Sequence, residues 1–106
     1  MEFIETHHFQ REAARVISDE ELLYMQLALA ERPTLGLVIP GSGGLRKMRW
    51  AGSGRGKSGG TRIIYYYAIS RYIILLLDVF LKSKKADLSQ AEIRDLKRLM
   101  KKESFE

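Results

Sequence analysis

Two apolar runs separated by four residues, Thr61 to Tyr67 and Tyr72 to Leu81, constrain this chain more than any other feature. The first, TRIIYYY, is β-branched and aromatic, a composition that fits a pleated, half-buried surface. The second, YIILLLDVFL, is apolar at nearly every position, as a strand inside a sheet tends to be. Ala68 to Arg71 leaves room only for a tight connection, so the two runs pair antiparallel. Alternation then sets Arg62, Ile64 and Tyr66 on one face of the first strand and Ile63, Tyr65 and Tyr67 on the other.

The remaining elements arrange themselves around this hairpin. Leu45 to Trp50 alternates as a third strand, with Leu45, Lys47 and Arg49 pointing one way and Arg46, Met48 and Trp50 the other. Upstream, Glu2 to Thr6 reads as a short strand and Phe9 to Ile17 as a helix. Ser18 followed by Glu21 makes a capping box for a second helix, which runs through Leu22, Leu23, Leu27 and Ala30 until Pro33 stops it. Pro33 to Gly44 is a connector, and Ala51 to Gly60 is a glycine-rich loop. Ser89 and Glu92 form a second capping box, and Ile93, Leu96, Leu99 and Met100 follow at helical spacing. The order β-α-α-β-β-β-α predicts one α+β domain over residues 1–106, with an antiparallel sheet of about four strands and the helices packed on one face.

Composition matters chiefly through charge. The net charge is +5, yet residues 1–31 hold seven carboxylates against two arginines, whereas Arg32 to Leu77 holds eight lysines or arginines and no carboxylate. An acid-free basic stretch inside a folded domain points to a polyanionic partner, nucleic acid before acidic membrane. Six of these cations, Arg46, Lys47, Arg49, Arg55, Lys57 and Arg62, lie on or between two neighbouring strands. Alternation gathers Lys47, Arg49 and Arg62 on one surface and leaves Arg55 and Lys57 on the loop. Cations so close repel one another, and a phosphate chain would relieve that repulsion. Of the nearby aromatics, Trp50, Tyr65 and Tyr67 fall on the face assigned to the helices, so Tyr66 is the candidate for stacking on an unpaired base.

Other chemistries are excluded or set aside. The chain has no cysteine, which removes disulfides, thiolate zinc sites and a cysteine nucleophile together. Met1 to His8 has no apolar run of the secretory kind, and the apolar stretch Tyr72 to Leu77 is too short to cross a bilayer, so a cytoplasmic protein without membrane association is expected. His7 and His8 are read as structural or solvent-exposed, because strand neighbours point to opposite faces and no carboxylate cluster accompanies them. Asp78, a lone acid in an apolar strand, is read as a hydrogen-bonded structural group. GSGRGKSGG lacks the spacing of a P-loop and leads into a strand rather than a helix.

The element order, together with GGLRKMRW, the glycine-rich basic loop and GGTRIIYYY, resembles the RelE/ParE toxin superfamily, and within it the HigB-like group. FLKSKKADLSQAE is similar to that group's aromatic–x–lysine segment with its acidic–leucine pair before the last helix. The resemblance covers nearly the whole chain. It implies a toxin of a type II toxin–antitoxin system: a ribosome-dependent mRNA endonuclease, metal-independent and without a cofactor, neutralised by a helix-turn-helix antitoxin. It also implies catalytic positions at Lys47, Arg49, Arg62 and Lys82, with Lys84 or Lys85 as a further base near the last helix. Arg46, Arg55, Lys57, Tyr66, Lys84 and Lys85 are the expected RNA-binding set. Leu88 and Ser89 stand where relatives carry a tyrosine.

RNA brings its own nucleophile, the 2′-hydroxyl, so the protein has only to move protons and neutralise the phosphorane. Arg62, assisted by Arg49, suits the phosphate because its planar fork spans two oxygens. Lys47, with cations on either side, is the leading base candidate, and Lys82 the acid or phosphate ligand. Two other readings remain: a gyrase-inhibiting toxin of the ParE branch, and a non-catalytic RNA-binding module.

Overall fold

In a computed structural model the residues described are 1–50 and 60–103, so the loop cations Arg55 and Lys57, with most of the GSGRGKSGG segment, lie outside them. The expected hairpin forms the middle of the molecule. Strand β4 (Thr61–Ala68) pairs antiparallel with β5 (Ile73–Leu81). The link is a 3-10 turn, Ile69–Arg71, that ends on Tyr72 in the left-handed region with φ 56°. Before the hairpin come β1 (Glu2–Glu5), α1 (His7–Val16), α2 (Asp19–Glu31), β2 (Leu37–Val38) and β3 (Arg46–Trp50); α3 (Gln90–Lys102) follows it.

The α+β class and the order of the predicted elements are as expected, with three corrections. Among the described residues the sheet has five strands in the order β1-β5-β4-β3-β2, because two residues of the connector, Leu37 and Val38, pair with Lys47 and Arg46. Two residues carry no periodicity to detect. The sheet is mixed rather than antiparallel, since β1 runs parallel to β5, with Phe3 opposite Ile74. No tight turn joins β1 to its neighbour, so local turn chemistry does not dictate its direction.

The third correction concerns the helices, which cover both faces of the sheet. Helices α1 and α2 bury Phe9, Ala13, Met25 and Leu29 against Met48, Ile63, Tyr65, Ile74, Leu76 and Val79. Helix α3 buries Leu96 and Met100 on the opposite side against Leu45, Ile64, Leu75, Leu77 and Phe80. The reason lies in β5. A strand apolar on both faces loses its hydrophobic stabilisation on whichever face is left in water.

Three side-chain caps fix where the helices start. Thr6 accepts from the Phe9 amide at 3.0 Å, and reciprocal capping boxes join Ser18 to Glu21 and Ser89 to Glu92. The connector before β2 is clamped by Tyr65, whose buried hydroxyl donates to the Pro33 carbonyl and accepts from the Gly36 amide, both at 2.8 Å. A Cβ at Gly36 would stand 2.8 Å from the Tyr65 ring, so this close approach requires glycine.

Candidate functional site

The pairing register decides where the cations go. In β3 and β4, Lys47 lies opposite Ile64, Arg49 opposite Arg62, and Met48 opposite Ile63. Met48 and Ile63 belong to the α1/α2 side, and Ile64 to the α3 side. Lys47, Arg49 and Arg62 therefore share the α3 face, as alternation predicts. Across β4 the rows continue into β5, Ile64 facing Asp78 and Arg62 facing Phe80. A bulge makes this possible: Tyr65 pairs with Leu76 and Ile64 with Asp78, so Leu77 is an extra residue on β5.

Two arginines directly opposite each other on neighbouring strands are an unfavourable cross-strand pair. Arg49 is exposed, and among the described residues no carboxylate pairs with it. Arg62 is buried, with 9% of its surface exposed, and its Nη1 donates to the Thr61 carbonyl at 3.4 Å. Lys47 reaches Asp87, donating from Nζ to both carboxylate oxygens at 3.0 and 3.1 Å. Asp87 sits in the turn before α3 and has the Leu88 amide on its Oδ1 at 2.8 Å. That amide, the Lys47 ammonium and the nearby charges of Lys47 and Arg62 hold its carboxyl below the usual carboxylate range. Lys47 thus meets a carboxylate partner that the sequence did not assign to it.

The other expected site residues divide. Lys82 is exposed just after β5, its backbone amide bonded to the Gly60 carbonyl at 2.7 Å. Lys84 is exposed in the same turn. Lys85 has structural partners instead: its Nζ is 2.7 Å from Glu92, 4.0 Å from Asp78 and 4.6 Å from the Phe80 ring centre. Arg46 is turned to the opposite face from the trio, where Nη1 donates to the Gly36 carbonyl at 2.7 Å. Tyr66 is on the α3 face but packs against the core there and lies beside Gly44. It is four residues along β4 from Arg62, about 13 Å at ordinary strand rise.

Asp78 is hydrogen-bonded as expected, whereas His7 and His8 open helix α1 rather than lying on a strand, and His8 meets a carboxylate the sequence did not bring to it. His8 Nε2 lies 3.0 Å from Asp78 Oδ1, which also accepts the Val79 amide at 2.8 Å. Burial raises the Asp78 pKa, and the charges of His8 and Lys85 oppose that rise. The pair lines a cleft of about 700 Å³ between α1 and α3, into which none of Lys47, Arg49 or Arg62 projects. No group of His, Asp or Glu among the described residues could hold a metal ion, and none of their helices is long and apolar enough to cross a membrane.

Sequence reasoning missed the contact of Asp87 with the basic face. Its signal was present as the acidic–leucine pair before the last helix, but no local pattern connects it to a lysine 40 residues away. A family model described as the RelE toxin of the RelE/RelB toxin–antitoxin system matches residues 1–105 of the chain. Among solved structures, the chain is similar to a mutant of the E. coli toxin RelE in its free state, with a TM-score of 0.63 over 93% of this chain and 95% of that one. Sequence identity there is 13%, so the likeness is one of fold.

Proposed function

This chain belongs to the RelE family of toxins from toxin–antitoxin systems, and on that premise we propose that it is a ribosome-dependent mRNA endonuclease, silenced by a cognate helix-turn-helix antitoxin. The observation that carries this reading is the register that brings Lys47, Arg49 and Arg62 to one face, with Arg49 directly opposite Arg62. The exposed Arg49 guanidinium suits a phosphate, and Arg62 opposite it adds positive charge to the same face. The 2′-hydroxyl attacks the adjacent phosphorus, and the arginines stabilise the extra charge of the phosphorane. Neither a metal nor a covalent intermediate is required. Lys82 and Lys84, exposed past the end of β5, extend the positive surface along the RNA strand.

The test is a translation reaction on programmed ribosomes, with primer extension to map cuts in the message. Wild-type protein should produce cuts within minutes. Arg62→Ala and Lys47→Ala should each slow single-turnover cleavage by about a hundredfold or more, the usual consequence of removing one transition-state donor. Full cleavage by both variants would sink the assignment. Inhibition of gyrase supercoiling with intact messages would place the protein in the ParE branch instead, and salt-sensitive RNA binding without cleavage would make it a non-catalytic binder.

A further inference from the structure

The carboxylate that meets the basic face is the least expected feature of the site. Asp87 is anchored rather than loosely placed. Its Oδ1 takes the Leu88 amide, the capping box of α3 begins two residues later at Ser89, and Lys85 ties the same turn to Glu92. Despite these anchors its side chain stays 61% exposed, and it touches Lys47, which is 35% exposed. A fixed, accessible carboxylate that touches a lysine and feels the charge of Arg62, with Arg49 opposite Arg62, brings a proton acceptor, a proton donor and phosphate ligands to one face.

Building on the nuclease reading above, we propose that Asp87 is the general base of the cleavage reaction and that Lys47 is the acid paired with it. As the 2′-oxygen bonds to phosphorus, its proton passes to the Asp87 carboxylate. The bond from phosphorus to the 5′-oxygen breaks, and the departing oxygen takes a proton from the Lys47 ammonium. One proton is gained by Asp87 and one lost by Lys47. Transfer back across their 3.0 Å contact restores both groups without water or a third residue. Arg49 and Arg62 keep the non-bridging oxygens throughout. The Lys47 ammonium has no lone pair with which to take a proton, whereas the carboxylate it donates to has, so this division of roles follows from which group holds the lone pair. The surrounding charges fit as well. Lys47 and the Leu88 amide hold Asp87 ionised near neutral pH, and a phosphate settling on the arginines adds a like charge that makes the carboxylate a stronger base.

Three variants on programmed ribosomes test this: Asp87→Asn, Asp87→Glu and Arg49→Ala, with single-turnover cleavage rate, message affinity and the pH–rate profile measured for each. Asn retains the Oδ1 that accepts from Leu88, so the turn should survive and circular dichroism should match wild type. Loss of a general base predicts a fall of about 10²–10⁴-fold in the cleavage rate of Asp87→Asn, with affinity unchanged or tighter. The wild-type rate should drop at acid pH as the carboxylate protonates, and Asp87→Asn should lack that limb. Asp87→Glu should recover part of the rate and the limb with it. Arg49→Ala should lose rate while keeping the acid limb, which separates phosphate binding from proton transfer. Wild-type cleavage by Asp87→Asn overturns the assignment. So does faster cleavage with tighter binding, which would make Asp87 a stand-in for phosphate that RNA must displace. Messages left intact by the wild-type protein would instead overturn the nuclease reading, and this assignment with it.

Discussion

Replacing Tyr65 with phenylalanine should loosen the fold without touching the basic face. The ring stays and only an oxygen leaves, so no apolar contact is lost from the α1/α2 core. Two hydrogen bonds go with the oxygen, to the Pro33 carbonyl and from the Gly36 amide. Their consequences differ. Gly36 is buried, and its amide would face a ring that stands where a Cβ on that glycine would meet it at 2.8 Å. Water has no room there, so the stranded donor should cost about 1–3 kcal/mol. Pro33 is half-buried, and its carbonyl can turn to solvent, at about 0.5–1 kcal/mol. The total is about 1.5–4 kcal/mol, centred near 2.5. For a chain of 106 residues, with unfolding entropy of about 2.1 cal/mol/K per residue, that lowers Tm by roughly 10 °C. Thermal and urea unfolding of the wild type, Tyr65→Phe and Tyr67→Phe would measure it, Tyr67 being the control on the same strand face. A Tm fall below about 4 °C for Tyr65→Phe would show that the clamp is dispensable or that water replaces it. Cleavage at 25 °C should be nearly unaffected, because Lys47, Arg49 and Arg62 stand on the other face.

Two further expectations concern stability. Burial raises the Asp78 pKa, so the protein favours its protonated form; the stability linked to that group is full below the ordinary value of 3.8 and is lost as pH rises through the raised one. Asp78→Asn, which imitates the neutral acid and keeps an oxygen for the Val79 amide, should therefore match or exceed wild-type Tm at pH 7 and lose any advantage below about pH 4; a deficit of several degrees at pH 7 would contradict this. Ser89→Ala removes the cap from α3 and should lower stability by about 1 kcal/mol in urea unfolding, with no measurable change meaning that the first turn is capped by other means.

What the sequence made legible here depended on range. Caps, strand alternation and the β4–β5 turn rest on residues within a few positions of one another, so Ser18, Ser89 and the division of Arg62 from Ile63 could be read directly. The placement of the cationic trio was legible for the same reason, since one register between adjacent strands carries every side chain with it. The side on which α3 packs was open to inference but was missed, because its apolar stripe fits either face and only the two-sided burial of β5 decides between them. The direction of β1 has no local signal, its partner lying some 70 residues away. Asp87 is the most instructive case. Both it and Lys47 can be seen in the sequence, but a lysine among arginines reads as a group surrounded only by like charge, and no local pattern shows the carboxylate that a distant turn delivers to it. Charge patterning along a chain locates a basic face; which carboxylate meets it depends on contacts that only the fold creates.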